Sequence, residues 1–253
     1  MSEHINVTTD NGVLIIRIER PEKKNALTQA MYAALAQAVA EGDRDDSVRV
    51  MMFTGSGDVF TAGNDLGDFL TVDDIEASPA ADFLRALAAT VKPVVAAVNG
   101  TAIGIGATML LHCDLVVAAD DARLQFPFIN LALVPEAASS LLLPRLVGHM
   151  RAAELLMLGE PFDAACAQSM GLVNRVVPAD RVVATASQLA AKLADKPAAA
   201  LRLTKALMKG EDKGVAARFS IEFDAFSRCL RSPELKEAVA AFFERRQPDF
   251  RSL

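Results

Sequence analysis

Three short stretches of this chain combine glycines with residues able to hold or move charge: FTAGNDL at 60–66, NGTAIGIGAT at 99–108 and VPEAASS at 134–140. In the second, Gly100, Gly104 and Gly106 free the backbone to turn sharply and to approach a ligand closely. The apolar run 107–111 that follows begins a helix. Entry into a helix leaves unpaired N–H groups carrying partial positive charge, which favours negative charge developing on an oxygen. A strand-to-helix turn that merely needs flexibility gives the same pattern, and spacing alone leaves both readings open. Two phosphate motifs are excluded. Dinucleotide-binding spacing from Gly104 requires a glycine where Met109 stands, and no Lys-Ser/Thr follows to complete a P-loop.

Glu136 is the carboxylate of most interest. Its neighbours Val134, Pro135, Ala137 and Ala138 are apolar, and none nearby in sequence is basic. Burial there would raise its pKa and make it a proton acceptor near neutral pH. The alternative is a loop glutamate in solvent, the commoner fate of this residue. Asp65 carries a similar ambiguity, because Asn-Asp after a glycine also caps helices. His4, His112 and His149 are scattered without metal-ligand spacing, so no metal is expected, and His112 beside Asp114 reads as structural. Ser139-Ser140 lacks the G-x-S-x-G elbow of a hydrolase.

The elements that must position these stretches alternate in type. Short apolar runs at 13–17, 48–53, 93–98 and 115–118 suit strands buried on both faces. A helix opens at Thr28, with Met31, Leu35 and Val39 at four-residue spacing. Another opens at Ser78-Pro79, an N-cap followed by proline at the first helical position. From about residue 151 the pattern turns helical, with stretches at 151–158, 163–170, 180–194, 198–209, 215–228 and 233–246. The expectation is a mixed α/β core over residues 1–195 and a helical region over 196–253.

With 253 residues, 52% hydrophobic, the chain can bury a large core, and its net charge of −6 argues against nucleic acid as a partner. No apolar run reaches the roughly 20 residues that span a bilayer. The N-terminus has neither the basic start nor the apolar stretch of a signal peptide, and Cys113, Cys166 and Cys229 form no C-x-x-C pair. A cytoplasmic protein without membrane association is expected.

Taken in order, from R-P-x-x-x-N-A-L at 20–27 through the three stretches to F-F-E-R-R at 242–246, the chain resembles the crotonase (enoyl-CoA hydratase/isomerase) superfamily. The resemblance implies a spiral of repeated ββα units, as in the ClpP/crotonase fold, with a helical C-terminal region and a homotrimer or hexamer. It implies an acyl-CoA substrate, with coenzyme A part of the substrate and no separate cofactor. Two backbone N–H groups, mapped onto Ala62 and Ile105, would hold the thioester oxygen as an enolate forms. The coenzyme is expected near Lys23, Lys24 and Ala26 and near Ala62, Gly63, Asn64, Asp65, Leu66 and Ile105. Hydratases of the family carry two glutamates where this chain has Thr108 and Phe128. Peroxisomal-type Δ3,Δ2-enoyl-CoA isomerases carry one, and it falls on Glu136. The resemblance therefore implies double-bond isomerisation with Glu136 as base, with hydration or non-catalytic acyl-CoA binding as alternatives.

Overall fold

The computed structural model describes residues 2–69, 72, 74–210 and 213–252. A six-stranded sheet runs through the centre, in the order β1 (Ile5–Asp10), β2 (Val13–Ile18), β3 (Val50–Gly55), β5 (Val94–Val98), β7 (Leu115–Ala119) and β10 (Arg175–Val177). Only the β1–β2 hairpin is antiparallel; the other pairings are parallel. Every residue of β3 and β5 is buried, which explains their mostly apolar runs.

A second sheet is built from much shorter strands, in the order β4 (Val59–Thr61), β6 (Thr101–Ile103), β8 (Arg123–Gln125) and β9 (Phe162–Asp163). The chain alternates between the sheets. β3 leads to β4, β5 to β6 and β7 to β8, each advance moving one strand along both sheets. Helical segments separate these pairs, so the architecture is the expected spiral of ββα units. The neighbouring parallel strands β4, β6 and β8 release their C-terminal ends on the same side, and each leads into one of the three stretches singled out from the sequence.

The helices are α1 (Gln29–Arg44), α2 (Leu66–Phe69), α3 (Pro79–Ala89), α4 (Ile105–Thr108), α5 (Ser139–Val147), α6 (His149–Leu158), α7 (Ala164–Ser169), α8 (Val182–Ala194), α9 (Ala198–Lys209), α10 (Lys213–Leu230) and α11 (Pro233–Glu244). Their starts follow the expected chemistry. Thr28 Oγ1 accepts the Met31 N–H at 3.3 Å, and Ser78 Oγ accepts that of Ala81 at 3.2 Å with Pro79 next in line. Gly159 ends α6 in the left-handed region. The run 107–111 is only partly α-helical: α4 gives way to a 3-10 turn over Met109–His112. Among the described residues no helix is long and apolar enough to cross a membrane.

Candidate active site

Asn25, in the R-P-x-x-x-N-A-L segment, organises the first wall of the site. It is fully buried and left-handed at φ 56°. Its Oδ1 accepts the Arg20 N–H at 2.9 Å, and its Nδ2 donates to the carbonyls of Ser56 (2.9 Å) and Val59 (2.7 Å). This fastens the loop at 20–27 against the turn before β4. The two segments then run side by side: Ala62 N–H donates to Lys24 O (3.0 Å), Leu27 N–H to Gly63 O (2.8 Å) and Asp65 N–H to Leu27 O (2.9 Å). Gly63 sits at φ 87°, where a Cβ would lie 2.9 Å from the Ile103 carbonyl, so only glycine fits.

These bonds correct one expectation and bear on another. The Ala62 N–H is committed to Lys24, so it is not free to hold an oxygen. The Asp65 carboxylate acts within the fold: Oδ2 pairs with Arg20 Nη1 at 2.8 Å, and Oδ1 accepts the Gly67 and Asp68 N–H groups of α2. The Arg20 hydrogen bond holds its pKa below the usual carboxylate range. The Asp65 N–H is also engaged, by the Leu27 carbonyl. Lys23 and Lys24 are exposed on the adjoining loop, and the Ala26 carbonyl accepts from Arg20.

Asn64, two residues beyond Ala62, is differently placed. It lines a narrow cavity together with Tyr32, Ile105 and Glu136. Its N–H makes no hydrogen bond among the described residues. Its side-chain Oδ1 accepts from the hydroxyl of Tyr32, the chain's one tyrosine. Tyr32 is buried on α1, which pushes its pKa far above the ordinary value; the nearby Glu136 adds to this. Ile105 is the first residue of α4, so its N–H has no acceptor within the helix. Gly106 allows this approach, since a Cβ there would meet Thr61 Cγ2 at 2.7 Å. The remaining wall is apolar: Ile75, Ala80, Ala81 and Leu84 from α3 and the turn before it, and Phe223 and Phe226 from α10.

Glu136 is only partly buried as a residue, through the cavity it lines, but its carboxyl is enclosed. Burial pushes its pKa up to about 8, with the negative charge of Glu222 adding to the rise and a hydrogen bond from Thr108 opposing it. Thr108 Oγ1 donates to Oε1 at 2.5 Å, while Oε2 has no hydrogen bond among the described residues. The two residues after Glu136, Ala137 (φ 60°) and Ala138 (φ 53°), are both left-handed. Such a conformation costs roughly 1–2 kcal/mol per non-glycine residue and persists only when its surroundings enforce it. One enforcing contact is His112, whose Nε2 lies 2.7 Å from the Ala137 carbonyl. A carbonyl only accepts, so the ring carries a proton on Nε2. Burial pushes the His112 pKa down to about 4, keeping the ring neutral. His112 is thus structural, but through Ala137; the adjacent Asp114 pairs instead with Lys205 at 2.7 Å.

Chemically, the cavity offers two unpaired backbone N–H groups and one carboxyl of raised proton affinity in apolar surroundings. That combination suits removal of a proton beside a carbonyl whose oxygen gains charge. An enoyl-CoA hydratase/isomerase family model matches residues 8–252. The chain belongs to the enoyl-CoA hydratase/isomerase family. It is 36% identical over 262 residues to 1,2-epoxyphenylacetyl-CoA isomerase of Escherichia coli, covering 99% of each chain. It is 33% identical over 254 residues to crotonyl-CoA hydratase of Syntrophomonas wolfei, covering 98% of each. The crystal structure of an enoyl-CoA hydratase/isomerase from Pseudoalteromonas atlantica superposes with a TM-score of 0.94 at 45% identity, over 98% of this chain and 100% of that one. Family membership makes this an enzyme of CoA thioesters. Relatives named as isomerases and as hydratases both occur, and none of those named here is a peroxisomal-type Δ3,Δ2-isomerase.

Phe128 is buried in a 3-10 turn over Pro127–Leu131, outside the cavity lining, and Thr108 reaches the site only through Glu136. Sequence reasoning missed Tyr32, Asn25 and Glu222. A lone tyrosine among the apolar positions of α1, and the asparagine of the first motif, were the available signals. Glu222, in the middle of an ordinary amphipathic helix, offered none.

Proposed function

We propose that the protein is an enoyl-CoA isomerase that moves a 3,4 double bond of an acyl-CoA thioester to the 2,3 position, with Glu136 as its single acid–base group. The observation that carries this reading is the Glu136 carboxyl, raised to a pKa of about 8 and lining the same cavity as Asn64 and Ile105. The thioester oxygen accepts hydrogen bonds from the Asn64 and Ile105 N–H groups. Glu136 Oε2, left open while Thr108 holds Oε1, takes a proton from C2. The C2–H electron pair enters the dienolate, charge collects on the held oxygen, and the proton returns at C4 as the double bond forms between C2 and C3. Oxyanion donors of this kind typically contribute about 2.7–4 kcal/mol each. Lys23 and Lys24, exposed on the adjoining loop, would meet the coenzyme's phosphates.

The alternative, hydration of a 2-enoyl-CoA, draws support from the relatives named as hydratases. A two-carboxylate hydration needs a second acid facing the substrate, and Glu136 is the only acid among the described cavity-lining residues. Purified protein given 3-enoyl-CoA should produce the ultraviolet absorbance of the conjugated thioester, and Glu136→Gln should abolish that gain. No gain, or full activity in the variant, would overturn the proposal; loss of absorbance from 2-enoyl-CoA would instead support hydration.

A further inference from the structure

Glu136 sits on a loop whose two following alanines are held left-handed, and most of what holds them comes from a distant part of the chain. Glu222, on α10, is buried at 4% exposure. Its Oε2 accepts the Ala138 N–H at 2.6 Å, and its Oε1 accepts both the Ser140 N–H (3.0 Å) and the Ser140 hydroxyl (2.5 Å). The first turn of α5 has no side-chain cap of its own, because its N-cap position is Ala138. A carboxylate from another helix does that work, satisfying two backbone donors that would otherwise be orphaned. Both alanines are fully buried, so water is no substitute. On the opposite side, His112 holds the Ala137 carbonyl and Ser139 folds back onto the Glu136 carbonyl through its N–H (3.0 Å) and hydroxyl (2.6 Å). The next residue along α10, Phe223, faces the cavity that Glu136 lines.

We propose that Glu222 is a positioning residue: its carboxylate, bonded to Ala138 and Ser140, fixes the turn that aims Glu136 into the cavity. This rests on Glu136 being the base. Glu222 also acts on Glu136 through space, since its negative charge disfavours a second one there. The other charged or titratable groups around the pair are few. Burial raises the pKa of Glu222, opposed by the hydrogen bonds from Ser140 and Ala138 and by the charge of Arg218 on α10; Arg85, on α3, stacks over the Phe223 ring at 5.4 Å. Tyr32 and His112 are neutral at the pH of interest. A residue that only secured α10 to α5 would alter stability and leave the proton affinity of Glu136 unmoved.

The test compares Glu222→Gln and Glu222→Asp with the unaltered protein. Glu222→Gln removes the charge and turns an NH2 toward a backbone donor. Its kcat should fall about 10- to 100-fold with KM for 3-enoyl-CoA changed less than about threefold, reflecting a misaligned base. The ascending limb of its kcat/KM profile should move to lower pH. Glu222→Asp keeps the charge but withdraws it by one methylene, so kcat should fall while the limb stays in place. The carboxyl 13C resonance of Glu136, followed against pH, should titrate at lower pH in Glu222→Gln whether or not the isomerase reading holds. Unchanged kcat and an unmoved Glu136 titration in Glu222→Gln would overturn the proposal, even with a lowered melting temperature. Should Glu222→Gln fail to fold, Glu222→Asp decides: reduced kcat with KM retained supports positioning, and unchanged kcat refutes it.

Discussion

Replacing Thr108 by valine removes one hydroxyl and nearly nothing else, because the two side chains are similar in shape. The residue is fully buried, and its Oγ1 donates to Glu136 Oε1 at 2.5 Å. That bond favours the carboxylate over the carboxylic acid and opposes the upward push of burial, so its loss must raise the pKa further from about 8. A hydrogen bond to a charged group contributes about 1.5–3 kcal/mol. At about 1.36 kcal/mol per pKa unit, the expected rise is roughly one to two units. With a pKa of about 8, roughly one-tenth of Glu136 is ionised at pH 7; after the substitution the fraction falls to between about one-hundredth and one-thousandth. The kcat/KM for 3-enoyl-CoA at pH 7 should therefore fall by about 10- to 100-fold, and the loss should shrink steadily as pH rises. The assay is initial rate of conjugated thioester formation across pH 6–10, with Glu136→Gln as the zero. An ascending limb that stays where it was, or a loss of equal size at every pH, would refute both the role of the bond and the assignment of the limb to Glu136.

Two further outcomes follow from the other wall of the site. Tyr32→Phe leaves Asn64 Oδ1 without its donor and frees the residue whose N–H is to hold the thioester oxygen; kcat should drop several-fold while KM moves little, as steady-state kinetics would show. Asn25→Ala strips partners from the Arg20 N–H and from the Ser56 and Val59 carbonyls in a fully buried position. It should cost about 2–4 kcal/mol in chemical denaturation, and a smaller loss would mean water enters to replace the amide.

The parts of the fold legible in the sequence are those with a strong period or an unambiguous cap. The runs that became β3 and β5 are mostly apolar because both faces are covered, and the helices at Thr28 and Ser78 announce themselves by their caps. The second sheet was invisible, since β4, β6 and β8 have three residues each and no period can be read from three. α5 was hidden by Pro144 within it. At the site, motif order identified the loops that line the cavity but not which amide in them stays open. Which N–H of A-G-N-D-L stays unpaired depends on the backbone bond from Ala62 to Lys24 and on the positive φ of Gly63, both tertiary facts. From its neighbours alone Glu136 was legible only as a choice between a buried carboxyl and a solvated loop residue; the family resemblance favoured a base there, and the helices that pack around the loop leave the residue partly buried on the cavity wall.

The short strands β4, β6 and β8 lie side by side and release their chains at a common end. Asn64 follows the first, Ile105 the second and Glu136 the third, so each turn of the spiral delivers one group to the cavity. Such a layout separates heritable change in chemistry from change in scaffold. A lineage can trade the carboxyl on the third loop, or add one on the second where Thr108 now stands, without disturbing the six-stranded sheet that the turns share.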